Sequence, residues 1–129
     1  MMQLEHESIA EGARPVVLLV EDDAAFRELL AVALAAPDLV VRAFDRAEAA
    51  EPFVATAALL VTDVQLPGLS GIDLGERARR AHPQLSLVVV SADASMASSA
   101  ERLGAAFLAK PFDGEALAAL IRARLGLTT

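Results

Sequence analysis

The stretch ALLVTDVQLPGLSG, Ala58 to Gly71, is an apolar run that ends on a carboxylate, Asp63, and passes at once into the Pro67–Gly68 pair. Continuous apolarity, rather than apolar and polar residues in alternation, is what a parallel strand covered on both faces requires. Pro-Gly is a turn signal, because proline presets its own φ and glycine accepts the left-handed conformation beside it. The following segment GIDLGERARRAH, residues 71–82, places Ile72, Leu74 and Ala78 at helical spacing. One strand, one turn and one helix are therefore written in succession, with an aspartate at the turning point.

The same unit recurs along the chain. Strand-length apolar runs are VVLLV (Val16–Val20), LVVRAF (Leu39–Phe44), LSLVVV (Leu85–Val90) and AFLA (Ala106–Ala109). Helical patterns lie between and after them: AAFRELLAVALAA from Ala24, the weaker RAEAAEPFVAT from Arg46, SMASSAERLG ending on Gly104, and DGEALAALIRARLG capped by Asp113 and closed by Gly126. Parallel strands need crossover connections, and crossover helices cover both faces of the sheet. The expected architecture is α/β: a doubly wound five-stranded parallel sheet with helices on both faces. In such sheets ligands sit beyond the carboxyl ends of the strands.

A chain of 129 residues has room for one compact domain, and a hydrophobic fraction of 55% supplies its core. The formal charge of -7 argues against sequence-independent nucleic-acid binding, which needs a basic face. With no cysteine there is no disulfide framework and no thiolate chemistry. The start MMQLEHESIAEGARP lacks the basic and apolar regions of a signal peptide, and no apolar run reaches the ~18 residues of a membrane span. Residues 1–14 read as a flexible polar extension, and the protein as cytoplasmic.

Polar groups collect where the apolar runs stop: Glu21, Asp22 and Asp23 after the first, Asp63 at the third, Ser91 at the fourth and Lys110 at the fifth. Any one of them alone would read as an exposed loop residue. Together they are three strand-end carboxylates or more, a hydroxyl and an amine on one edge. Converging carboxylates repel unless a cation joins them, and Mg2+ suits an open oxygen site that also receives phosphate. A carboxylate so placed can act as nucleophile toward a phosphoryl group, and Asp63 is the best positioned.

The ordered set EDD at 21–23, TDVQLPGLSG at 62–71, SA at 91–92 and KPF at 110–112 resembles the receiver domain of bacterial two-component response regulators. The resemblance runs from residue 15 to 126, leaving 127–129 as a tail, and implies the flavodoxin-like strand order 2-1-3-4-5. It implies that Asp63 is the phosphoacceptor and that Asp22 ligates Mg2+ directly. Glu21 would be the acidic partner, acting through water, and the main-chain carbonyl of Gln65 the third protein ligand. Glu21 and Asp22 are chosen over Asp23 because Arg27 follows Asp22 at the family's spacing. Ser91 and Lys110 would bind the phosphoryl oxygens, and Pro111 would follow a cis peptide bond. The side chain of Gln65 and Asp93 would tune dephosphorylation. Phe107 stands where the family has a switching aromatic, and an ordinary core aromatic is an equal reading. The implied partners are a sensor histidine kinase or phosphotransfer protein, and a downstream effector protein or an output domain, with homodimerisation open.

Between Ser91 and Lys110 the chain is several residues shorter than the family pattern, and ASMASSA is rich in serines that compete with helix by bonding locally. The fourth helix is therefore expected to be short or irregular, which bears on the output face. A magnesium-dependent phosphohydrolase is disfavoured, since Gln65 stands where such enzymes carry a second aspartate. The expected role is a phosphoacceptor switch rather than a turnover enzyme. The alternative is a receiver-fold interaction module that works without phosphorylation, against which the full set Glu21, Asp22, Asp63, Ser91 and Lys110 speaks.

Overall fold

A computed structural model describes residues 14–128. The expected N-terminal extension, with His6 in it, lies outside the described residues except for Arg14, as does Thr129 of the tail. The elements alternate: β1 (Val16–Val20), α1 (Ala24–Leu34), β2 (Val40–Phe44), α2 (Ala47–Ala50), β3 (Leu59–Asp63), α3 (Gly71–Ala81), β4 (Ser86–Ser91), α4 (Ala97–Arg102), β5 (Ala106–Ala109) and α5 (Gly114–Leu125). All strands pair in parallel in the order β2-β1-β3-β4-β5. This is the doubly wound sheet expected from the pattern of apolar runs.

Strand parity explains the two faces. Val17, Leu19, Leu59, Val61, Val88 and Val90 point to one side, where they pack with Leu30 and Leu34 of α1 and Leu117 and Ile121 of α5. Leu18, Val20, Leu60 and Leu87 point to the other, against Ala47, Ala50 and Val54 of the α2 region and Leu74 and Ala78 of α3. Successive side chains on a strand face opposite ways, so a run that is apolar at every position is buried on both faces. The remaining corner, under α4, holds only Val64, Val89 and Ala100 as buried residues.

Helix ends follow the capping chemistry. Asp23, Ser70 and Asp113 cap α1, α3 and α5 by accepting from the main chain of Phe26, Asp73 and Ala116. Gly126 closes α5 in the left-handed conformation, φ 70°. α2 stops after four residues and continues as a 3-10 helix, Glu51–Thr56. Pro52 is the reason, since it has no N–H to give the Glu48 carbonyl one turn back. α4 is a six-residue helix preceded by a 3-10 turn, Ala94–Met96, so the fourth crossover is short as expected.

Three surface residues are more engaged than their sequence positions suggest. Arg79, which reads in the sequence as part of a solvated basic face, gives its guanidinium N–H groups to the carbonyls of Pro83, Leu85 and Leu103, tying the end of α4 to the α3–β4 connection. His82, which as a residue before Pro83 is expected to be exposed, is half-buried with Nε2 at 3.0 Å from the Ala57 carbonyl. Arg122, placed to complement the dipole of the last helix, forms a forked pair with the Asp38 carboxylate at 3.0 and 2.7 Å.

Candidate functional site

Strand register brings the acidic residues together. Val20 is level with Thr62, so the next residues, Glu21 and Asp63, leave the sheet side by side. Asp63 is level with Val90 and Ser91 with Ala109, which puts Ser91 and Lys110 just beyond. The ladder persists past the strands: Glu21 N–H donates to the Phe44 carbonyl at 3.0 Å and Lys110 N–H to the Ser91 carbonyl at 2.9 Å.

The Lys110 ammonium lies between the two carboxylates. Nζ is 2.6 Å from Asp63 Oδ2 and 3.0 Å from Glu21 Oε1. Glu21 is only 1% exposed and Asp63 6%. The second oxygen of Glu21 accepts from the Asp23 amide at 3.1 Å, and Asp63 Oδ1 accepts from the Gln65 amide at 3.3 Å. No buried side-chain polar atom among the described residues lacks a partner. Burial pushes the Glu21 carboxyl above its ordinary range, and the Asp63 charge adds to this, while hydrogen bonds from Asp23 and Lys110 oppose it. Burial works against the charge on Lys110, but its hydrogen bonds to Asp63 and Glu21 outweigh that and hold its pKa above the ordinary amine value.

The donor set fits a hard divalent cation. Glu21, Asp22 and Asp63 each offer a carboxylate oxygen within 4.8 Å of the others. One ammonium set against three carboxylates leaves negative charge at the edge of the sheet. Asp22 is exposed at its outer side, as an ion that keeps most of its waters requires. Asp23 is not part of this trio; its side chain caps α1. Arg27 donates from its guanidinium to the main-chain carbonyl of Glu21 at 2.8 Å and braces the acidic turn.

The turn after Asp63 is shaped by glycine. Gly71 N–H donates to the Val64 carbonyl at 2.9 Å, and a Cβ on Gly71 would collide with the carbonyl of Asp63. Thr62 Oγ1 donates to that same carbonyl at 2.8 Å. The main chain of Asp63 is thus pinned from two sides.

The other expected residues take varied places. Ser91 is buried, and its Oγ accepts from the Asp93 amide at 3.0 Å. Asp93 is exposed, and its carboxylate accepts from the amide and hydroxyl of Ser95 at 3.0 and 2.6 Å, capping the turn into α4. Gln65 is exposed beside Asp63. Phe107 is half-buried and packs with the small cluster of Val64, Val89 and Ala100. The Lys110–Pro111 peptide bond is cis.

An aromatic wall beside the ammonium has no counterpart in the sequence reading. Lys110 Nζ lies 5.1 Å from the Phe26 ring centre, and Phe26 meets Phe112 edge-on at 5.6 Å. With Asp23, Ala92 and Pro111 they line an open cleft of about 480 Å3. Phe26 reads simply as one apolar position of a helix, and no spacing signal links it to Phe112.

Comparison with known proteins agrees with this fold. Residues 17–122 match the response regulator receiver domain family. The transcriptional regulatory protein FixJ of Azorhizobium caulinodans is 39% identical over 117 residues, covering 85% of this chain and 54% of that protein. The response regulator protein FleR of Pseudomonas aeruginosa is 41% identical over 110 residues, covering 81% of this chain and 23% of that protein. The chain thus spans about half the length of one such relative and about a quarter of the other. The crystal structure of a response regulator receiver protein from Pseudomonas putida superposes with a TM-score of 0.76 at 34% identity, covering 86% of this chain and 98% of that one. With the sheet order, the acidic edge and the bridging lysine in place, the chain belongs to the response regulator receiver domain family.

Proposed function

We propose that this chain is a phosphorylation-dependent switch in which Asp63 is the phosphoacceptor. The observation that carries the reading is the buried Asp63 carboxylate held 2.6 Å from the Lys110 ammonium, with Glu21 and Asp22 in reach of the same point. An Asp63 oxygen attacks the phosphorus of a phosphohistidine on a sensor histidine kinase or phosphotransfer protein. The P–O bond forms as the P–N bond breaks, and the imidazole leaves with the electron pair. Asp22, Asp63 and the main-chain carbonyl of Gln65 would hold Mg2+, with Glu21 acting through water. The ion supplies the positive charge that lets a dianionic phosphoryl group approach a carboxylate.

The protein's own groups do the rest. Lys110 moves from the Asp63 carboxylate to a phosphoryl oxygen, exchanging one charge-assisted contact for another. The Ser91 hydroxyl accepts from the Asp93 amide and keeps its own proton to donate to the phosphoryl group. Phe107, packed one layer behind, responds to displacement of Ser91 and passes it to the α4–β5 surface read by an effector protein or an output domain. The exposed Gln65 side chain and Asp93 flank the approach of hydrolytic water. The domain assists its own phosphorylation and dephosphorylation and is not a conventional turnover enzyme. No helix among the described residues is long and apolar enough to cross a membrane; the setting proposed is the cytoplasm, where a sensor kinase's phosphohistidine would be met.

The test is labelling by acetyl phosphate in the presence of Mg2+. The unsubstituted chain incorporates one phosphoryl group that is lost in alkali, and Asp63→Asn abolishes it. Labelling of Asp63→Asn at the original rate would remove Asp63 from this role.

A further inference from the structure

The loop between β3 and α3, residues 64–70, carries Gln65 and leads directly from Asp63 into α3. Two of its anchors are local: Gly71 N–H to the Val64 carbonyl at 2.9 Å, and Ser70, whose Oγ accepts from the Asp73 amide at 3.1 Å. Others come from different elements: Val64 N–H donates to the Val90 carbonyl of β4 at 3.1 Å, and α2 holds the far end of the loop. Glu48, in the first turn of α2, accepts the Leu69 amide proton through Oε2 at 3.0 Å.

The tip of the loop is shaped around that carboxylate. Gly68 adopts φ +76°, and a Cβ placed on it would lie 2.5 Å from Glu48 Oε2. A side chain at 68 is therefore strained by backbone conformation, and it would also push the Glu48 carboxylate out of its place. Leu66 and Leu69 pack against the cluster to which Ala47 and Ala50 of α2 belong, so the loop rests on that apolar face as well as on the Glu48 hydrogen bond. The Leu69 amide holds the Glu48 carboxyl below its usual range, and the charges of Arg46 and Arg77 act in the same direction.

Resting on the reading of Asp63 as phosphoacceptor, we propose that Glu48 is a positioning residue of the site. By gripping the Leu69 amide it fixes the loop that presents the main chain of Gln65 beside Asp63. The carboxylate lies outside the trio of carboxylates that would hold the ion. It acts on the pre-organisation of the loop, as outer-shell partners of metal ligands do. The grip also couples the site to the edge of the sheet where β2 and α2 lie, since Glu48 moves with α2.

The experiment compares the full chain with Glu48→Ala and with Glu48→Gln, whose amide oxygen still accepts the Leu69 N–H. In the metal-free protein, Glu48→Ala raises the hydrogen exchange of the Leu69 amide about tenfold, while amides of β1 and β3 keep their protection. The Mg2+ concentration giving half-maximal labelling by acetyl phosphate rises about tenfold in Glu48→Ala, and Glu48→Gln recovers most of the difference. An unchanged Mg2+ dependence in Glu48→Ala overturns the proposal, as does unchanged exchange at Leu69. A failure of the Asp63 reading is distinct, because it shows as absence of labelling in the unsubstituted chain, while the Leu69 exchange is measured without phosphorylation.

Discussion

The edge of the sheet around Asp63 and the crossover through α4 sit on neighbouring strands and are built on opposite terms. Around Asp63, three central strands end together, both oxygens of Glu21 and of Asp63 have partners, and the main chain of Asp63 is held by Thr62 while glycine at 71 lets the chain pass close by. Behind it lie the two large clusters on either face of the sheet. The α4 crossover has one short helix, a single buried residue in it, Ala100, and a start held by the exposed Asp93–Ser95 pair. The difference matches the separate roles proposed for the two regions. Charge chemistry needs groups that do not reorganise, whereas a surface that reports a change needs a low local cost of rearrangement.

The comparison can be broken at its rigid end first. Gly71→Ala puts a methyl group into the carbonyl of Asp63, a backbone atom that cannot step aside. The expected loss is upwards of about 4 kcal/mol in urea unfolding, with labelling at Asp63 abolished even in whatever fraction folds. Full labelling and native stability would show that the turn is not fixed by this approach.

A matched pair of core truncations sharpens the contrast. Leu87→Ala, in the large cluster, should cost about 3 kcal/mol, and Ala100→Gly, the buried residue of α4, about 1 kcal/mol. In the unsubstituted protein, amides of residues 97–102 should exchange through local opening well before those of β3. Protection of α4 equal to that of β3 would erase the distinction between the two regions.

The smallest effect concerns pH. Hydrogen bonds from the Ser95 hydroxyl and amide hold the Asp93 carboxyl below its ordinary 3.8. A lowered folded-state pKa means that the stabilisation is present above the unfolded value and is lost as pH falls through the folded one. The turn into α4 should therefore loosen only in acid below pH 3.8, seen as a coupled shift of the Asp93 carboxyl and Ser95 amide resonances. Asp93→Asn should remove that titration step.

Much of the fold and of the candidate site is legible in the sequence, for identifiable reasons. The five strands are readable because each contains a run of apolar residues of strand length, and the acidic edge because Glu21, Asp22, Asp63 and Lys110 stand where apolar runs stop. The capping residue Asp113 is a local signal that the structure repeats, whereas the caps at Asp23 and Ser70 come from the structure. The short α4 follows from its serines and from the short spacing between Ser91 and Lys110. What escapes are contacts between residues remote in sequence. Arg79 with Leu103, Arg122 with Asp38 and Glu48 with Leu69 join positions 24, 84 and 21 residues apart. Arg79 reads as part of a solvated face and Arg122 as a complement to its own helix dipole, and Glu48 carries no signal of its partner, until the crossovers bring these contacts together.

The amino-acid sequence by itself determined the sheet, its two-sided burial and the meeting of carboxylates, hydroxyl and amine at one edge. Those follow from hydrophobic periodicity and from where it is interrupted, and both are local properties of the chain. Only the tertiary structure decided that Lys110 bridges Glu21 and Asp63, that Phe26 and Phe112 wall the cleft beside it, and that Glu48 grips the loop above. Hydrogen bonds and ring contacts act over a few ångströms, and strand register and helix packing set those distances after distant segments have come together.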